Sequence, residues 1–233
     1  MNDIKNYWQE GVPQYHTWNP PSTTEFWSGF DTEENFKKNP NPSYAKTRIT
    51  YTYNKFGFRT KEFDFTNTEN NILCFGCSHT EGIGVQTPWP VLMQEQLLDY
   101  NVYNLGHGSG SFDTIARLIT SYVPLFKPKK IFILWPPLPR YELYEDEGVK
   151  FVGAWVNDKT LIQLITDENM LNWSEKNKLY IKMFSKVYNF HIFEDESDIY
   201  CQFPQCLDRA RDNAHFGSKT HISVANNFLK NIC

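Results

Sequence analysis

The sequence predicts an α/β fold: a doubly wound parallel sheet with helices packed against it. Two observations carry this. From residue 71 onward, short apolar runs alternate with stretches whose apolar residues recur at helical spacing, the pattern of successive βαβ units. The chain also has the means to enclose such a sheet. It has 233 residues, 40% hydrophobic and 21% charged, and a single domain of this size buries roughly 70–75% of its unfolded surface.

The elements follow in order. Residues 1–50 are rich in Asn, Pro, Thr and aromatics and show little periodicity. They read as an irregular arm laid over the core through Trp8, Trp18 and Trp27, with the main domain spanning 51–233. Arg48 to Phe63 reads as two short extended segments around a turn at Asn54–Gly57. Asn71–Gly76 is a buried strand, and Thr87–Tyr100 a helix opened by prolines. Asn101–Gly106 is a second strand, Ser111–Phe126 a second helix and Lys130–Trp135 a third strand. The rhythm then breaks over about 137–173, read as an insertion at the sheet's carboxyl edge, where such folds place ligand-binding loops. A helix follows from Ser174, its predicted N-cap, to Tyr188. Asn189–Phe193 is a fourth strand and His221–Ile232 the closing helix.

Composition excludes several classes of function. The net charge is −4, and the densest basic run, Lys127–Lys130, suits a solvated loop, so no nucleic-acid partner is expected. No stretch approaches the ~20 apolar residues of a membrane span, and the first residues carry no apolar signal core. A soluble, cytoplasmic protein is the expectation, or a virion-associated one if the gene is viral. The five cysteines (Cys74, Cys77, Cys201, Cys206 and Cys233) have no framework spacing and read as reduced thiols. The six histidines show no metal-ligand spacing, so neither a metal nor a cofactor is expected.

Three stretches bear chemistry. Ser78 follows the first buried strand, where backbone N–H groups favour developing negative charge; Ser and Gly after a strand are also ordinary turn residues. Asp212 and His215, three apart, can share a face, as a base and its orienting carboxylate require, although Asp212 also suits an N-cap. Between them, Asn104–Ile115 holds a small-residue loop that can bring N–H groups near the serine. Neither Gly-rich loop matches a phosphate-binding pattern.

Together these stretches resemble the SGNH or GDSL hydrolases. "FGCSHTEGIGV" resembles the first block, with cysteine at the aspartate position; "NLGHGSGS" resembles the second, and "DNAH" the last. "NKFGFRTKEF" is similar to the entry hairpin of a bacterial and viral subgroup. The resemblance covers roughly residues 54–230 and implies a three-layer, flavodoxin-like sheet of about five parallel strands. It implies Ser78 as nucleophile, His215 as base and Asp212 as its partner. The oxyanion donors implied are the N–H groups of Ser78 and of the second block, where the family's glycine falls on Ser109, flanked by Gly108 and Gly110. The implied substrate is a small or carbohydrate ester, most plausibly an acetyl ester. Transfer to an acceptor, or a weakly catalytic binding module, are the alternatives. The third block departs from the pattern. "ILWPPLPRYE" has no asparagine, so Arg140 is left either to replace that oxyanion donor, to bind an anionic part of the substrate, or to pair with Glu142 or the acidic run Glu145–Glu147. His79 and His107 also fall at the cleft, as substrate contacts or as satisfied loop histidines. Nothing in the sequence fixes an oligomeric state.

Overall fold

A computed structural model describes residues 7–17, 22–25, 31–145, 148–195 and 206–232. Trp18, Trp27, Cys201 and Cys233 lie outside the described residues. The N-terminal segment holds some regular structure: β1 (Thr23–Glu25), α1 (Glu33–Lys38), and a 3-10 turn at Pro42–Tyr44. The side chain of Thr32 caps α1 by accepting the Asn35 N–H. β2 (Thr50–Thr52) pairs antiparallel with β1, so the expected extended segment finds its partner upstream. The turn at Asn54–Gly57 is present, but Phe58–Phe63 is not a strand; its phenylalanines enter the core instead.

The centre is mixed α/β. β3 (Asn71–Gly76) is followed by the short α2 (Ser78–Glu81) and by α3 (Trp89–Gln96). Then come β4 (Asn101–Gly106), α4 (Phe112–Phe126) and β5 (Lys130–Leu134). A hairpin of β6 (Tyr141–Glu145) and β7 (Gly148–Val152) occupies the expected insertion, followed by α5 (Lys159–Ile162). α6 (Asp167–Tyr188), β8 (His191–Asp195) and α7 (Ser218–Leu229) complete the order. Among the described residues the central sheet has four parallel strands in the order β4-β3-β5-β8, one fewer than the resemblance implied.

Both faces of the sheet are covered. Along β3, Leu73 and Phe75 join a core with residues of α4 and α6, while Ile72 and Cys74 join another with residues of α3 and α7. A strand that is buried on both faces reads as a near-continuous apolar run, and this is why β3 and β5 are visible in the sequence. α6 was misplaced. It starts at Asp167 under a Thr166 cap, and Ser174 lies within it, buried and donating its hydroxyl to the Leu171 carbonyl. Its polar first turns carry no apolar periodicity strong enough to mark the true start.

Topology locates the crevice. From β3 the chain crosses to β4 on one side and then returns to β5 on the other. In open α/β sheets that reversal leaves a cleft outside the carboxyl ends of the strands. Gly76 is opposite both Gly106 and Leu134 in register, so three loops leave the sheet level with one another.

Candidate active site

Ser78 is the first residue of α2, directly beyond β3. Cys77 caps the turn with extended backbone, and its carbonyl accepts the N–H groups of Thr80 and Glu81 at 2.9 and 3.0 Å. Two glycines permit this tight reversal. A Cβ on Gly76 would lie 2.1 Å from Thr80 Oγ1, and one on Gly106 would lie 2.2 Å from the Glu81 nitrogen. α2 is thus pressed between the ends of β3 and β4. Among the described residues, no group accepts the Ser78 N–H.

The loop before α7 brings the other two residues. Asp212 Oδ1 accepts the N–H groups of Ala214 and His215, both at 3.0 Å, around Asn213 in left-handed backbone. Its Oδ2 lies 2.5 Å from His215 Nδ1, and His215 Nε2 lies 2.9 Å from Ser78 Oγ. The three predicted residues therefore stand in one hydrogen-bonded line, from elements 137 positions apart. Burial pushes the Asp212 carboxyl up, but its hydrogen bond and charge interaction with His215, with the two N–H donors, outweigh that and hold it below the usual carboxylate range.

Behind this line the loop is braced. Arg211, buried beside Asp212, pairs with Asp31 at 2.7 Å and Glu33 at 2.8 Å. Tyr51 donates to Asp31 and accepts the Gly84 N–H, and Gly84 in turn accepts the Arg211 N–H at 3.0 Å. Arg59 is buried and donates to the carbonyls of Gly82, Val85 and Gln86, fixing the stretch after α2. This brace is not legible in the sequence, because its pairs are distant in the chain.

The second loop departs from expectation in one respect. Gly108, expected as an oxyanion donor, gives its N–H to the fully buried Glu81 carboxylate at 2.7 Å. Ser109 follows at φ 62°, a left-handed conformation that suits glycine better than serine. No described group accepts the Ser109 N–H. Gly110 donates to the His107 carbonyl at 2.8 Å and closes the turn.

The two cleft histidines are buried. His79 Nδ1 accepts the Phe216 N–H at 3.3 Å, and its ring packs on His215 and Phe216. Burial, and then the charge of His215, hold His79 well below the ordinary histidine range. His107 stacks on His16 with ring centroids 3.7 Å apart and meets Thr17 Oγ1 at 3.1 Å. Burial, and then His16, depress it as well. His16, given no role from the sequence, also lies 3.8 Å from Glu81. All three imidazoles are buried and packed against other rings. Arg140 does not pair with Glu142, which Arg117 holds at 2.8 Å with both side chains buried. Of the acidic run, Glu145 pairs with Lys150, and residues 146 and 147 lie outside the described residues. Cys74 and Cys77 are buried free thiols, and Cys206 is a half-buried one. Among the described residues, no His, Cys, Asp and Glu group suits a metal ion, and no helix is long and apolar enough to cross a membrane.

No protein-family model and no curated protein matches the chain. Among solved structures, it is similar to the psychrotrophic esterase EstA from Pseudoalteromonas sp., in a form inhibited by monoethylphosphonate. That match has 14% identity, covers 70% of this chain and 97% of that one, and has a TM-score of 0.38. A protein named as lipolytic and of the G-D-S-L family, from Desulfitobacterium hafniense DCB-2, matches at 13% identity over 70% of this chain and 99% of that one, with a TM-score of 0.34. The gut microbial diltiazem-metabolizing enzyme BT4096 matches at 14% identity with a TM-score of 0.37; 71% of this chain is covered, but only 34% of that enzyme, about a third of its length. The likeness is weak in numbers, so the case for chemistry rests on the geometry of Ser78, His215 and Asp212.

Proposed function

We propose that the chain is a serine ester hydrolase that works through an acyl-enzyme on Ser78. The observation that carries this reading is the continuous line from Ser78 Oγ to His215 Nε2 and from His215 Nδ1 to Asp212. In this reading Ser78 Oγ attacks the ester carbonyl carbon as His215 Nε2 takes its proton. Asp212 stays ionised, holds the ring in the tautomer that leaves Nε2 free to accept, and stabilises the imidazolium. The carbonyl oxygen becomes an oxyanion and receives the N–H groups of Ser78 and Ser109. Collapse expels the alcohol, which takes the proton back from His215. Water then attacks the acyl group with His215 again as base, and Ser78 leaves protonated. The family resemblance points to an acetyl ester of a carbohydrate as the first substrate to try.

The test is hydrolysis of p-nitrophenyl acetate, together with labelling by a fluorophosphonate probe. Stoichiometric labelling of Ser78 is expected, and Ser78→Ala is expected to lower turnover about 10³-fold or more. An alanine variant as active as the parent rules the reading out.

A further inference from the structure

Arg140 lies beyond the end of β5, the strand paired in parallel with β3, which leads to Ser78. It is half-buried. Nη1 makes a long 3.5 Å contact with the Gly110 carbonyl, one residue beyond Ser109. The guanidinium carbon lies 5.3 Å from the centre of the Trp155 ring. A carbonyl and an aromatic face both attract a cation, but neither neutralises it. Among the described residues no carboxylate pairs with Arg140; the nearest in sequence, Glu142, is held by Arg117. Its charge also reaches the site, since it is among the groups that depress His79, whose ring packs on His215. Trp155 is 45% exposed and lies across Gly153, where a Cβ would fall 2.4 Å from the indole. The indole therefore offers a flat apolar wall beside the cation.

Resting on the serine hydrolase reading, we propose that Arg140 and Trp155 form a subsite for an anionic group on the substrate, so that the preferred substrates are esters bearing a negative charge near the scissile bond. A guanidinium suits this role. It stays charged, holds its hydration weakly, and presents a planar fork that a carboxylate or other oxyacid can meet with two hydrogen bonds.

Four aryl esters in two matched pairs test the proposal: neutral p-nitrophenyl acetate with p-nitrophenyl hemiglutarate, charged on the acyl side; and neutral phenyl acetate with 4-acetoxybenzoate, charged on the alcohol side. One charged ester is expected to exceed its neutral counterpart, p-nitrophenyl or phenyl acetate, by about tenfold or more in kcat/KM, as a charge-assisted hydrogen bond warrants. The preference should shrink as salt rises from 0.05 to 0.5 M, about the range over which screening becomes strong. Arg140→Ala is expected to bring the charged-to-neutral ratio to about one through KM, and Arg140→Lys to keep part of it. The salt series on the parent protein stands even if a variant fails to fold. Equal rates on charged and neutral esters overturn the proposal. So does an Arg140→Ala loss that falls equally on kcat for every ester, since that makes Arg140 an oxyanion donor. Failure of all four esters, with no fluorophosphonate labelling, instead overturns the hydrolase reading on which the proposal rests.

Discussion

Asp212 has two tasks, and its two oxygens divide them. Oδ1 shapes the loop through two N–H groups, and Oδ2 orients His215. Asp212→Asn keeps the first if the amide oxygen takes the loop side. The second then fails, because an NH2 facing Nδ1 forces that nitrogen to accept, and Nε2 turns a proton toward Ser78. The expected result is a fall in kcat of about 10⁴ with KM little changed, read by steady-state kinetics on a chromogenic ester. The line of Ser78, His215 and Asp212 was legible because each residue carries its chemistry in its type and its place beside a strand or helix end. The N–H donors were less legible. Nothing in "NLGHGSG" shows that Gly108 is engaged by Glu81 while Ser109 is not, because that choice is made by a carboxylate 27 positions upstream.

Elements were legible where burial is two-sided, as in β3, and poorly legible where polar residues begin a helix, as in α6. The contacts between elements were not legible at all, yet they decide how sharply the site is held. Gly106→Ala would drive a methyl group into the backbone of α2 at Glu81, where no flexible side chain can give way. The expected cost is about 1–3 kcal/mol, measured by urea denaturation, with a larger proportional loss of kcat because α2 carries Ser78. The brace between the N-terminal segment and the loop that holds Asp212 and His215 supports a second expectation. Burial outweighs the pull of Tyr51 and Arg211 and holds the Asp31 carboxyl above its ordinary range, so the pair with Arg211 contributes position more than stability. Removing one partner is another matter. Asp31→Ala leaves Arg211 buried without its Asp31 partner, and a loss of about 3 kcal/mol is expected. Thermal melting checks it; a melting temperature equal to the parent's would show that the brace is idle.

At the scale of the whole molecule, three buried histidines share one direction of shift. His79 and His107 are depressed well below the ordinary range, and His221, whose Nδ1 accepts the Trp89 N–H, is lowered to about 3, each chiefly by burial. All three are neutral in the folded state at a pH where the unfolded chain already binds protons. Stability is therefore full above the unfolded histidine value of about 6.5, and is lost as pH falls below it toward about 3. The raised carboxyls of Asp31 and Asp113 act in the opposite sense at lower pH. Melting temperatures are expected to drop between pH 6.5 and 5, and His221→Asn, which keeps an acceptor for Trp89, should flatten that drop. A parent melting temperature that does not change over this interval would contradict the account. The distance along the chain between Ser78 and His215, 137 positions, and between Asp31 and Arg211, 180 positions, has a kinetic meaning. Local helices and the first strand pairs can form early, but these closures join remote parts of the chain and come late. During refolding from urea, ester hydrolysis should therefore lag behind the far-ultraviolet circular dichroism signal. The candidate site then acts as a clock for the last docking event, starting only when the final loop has found the first.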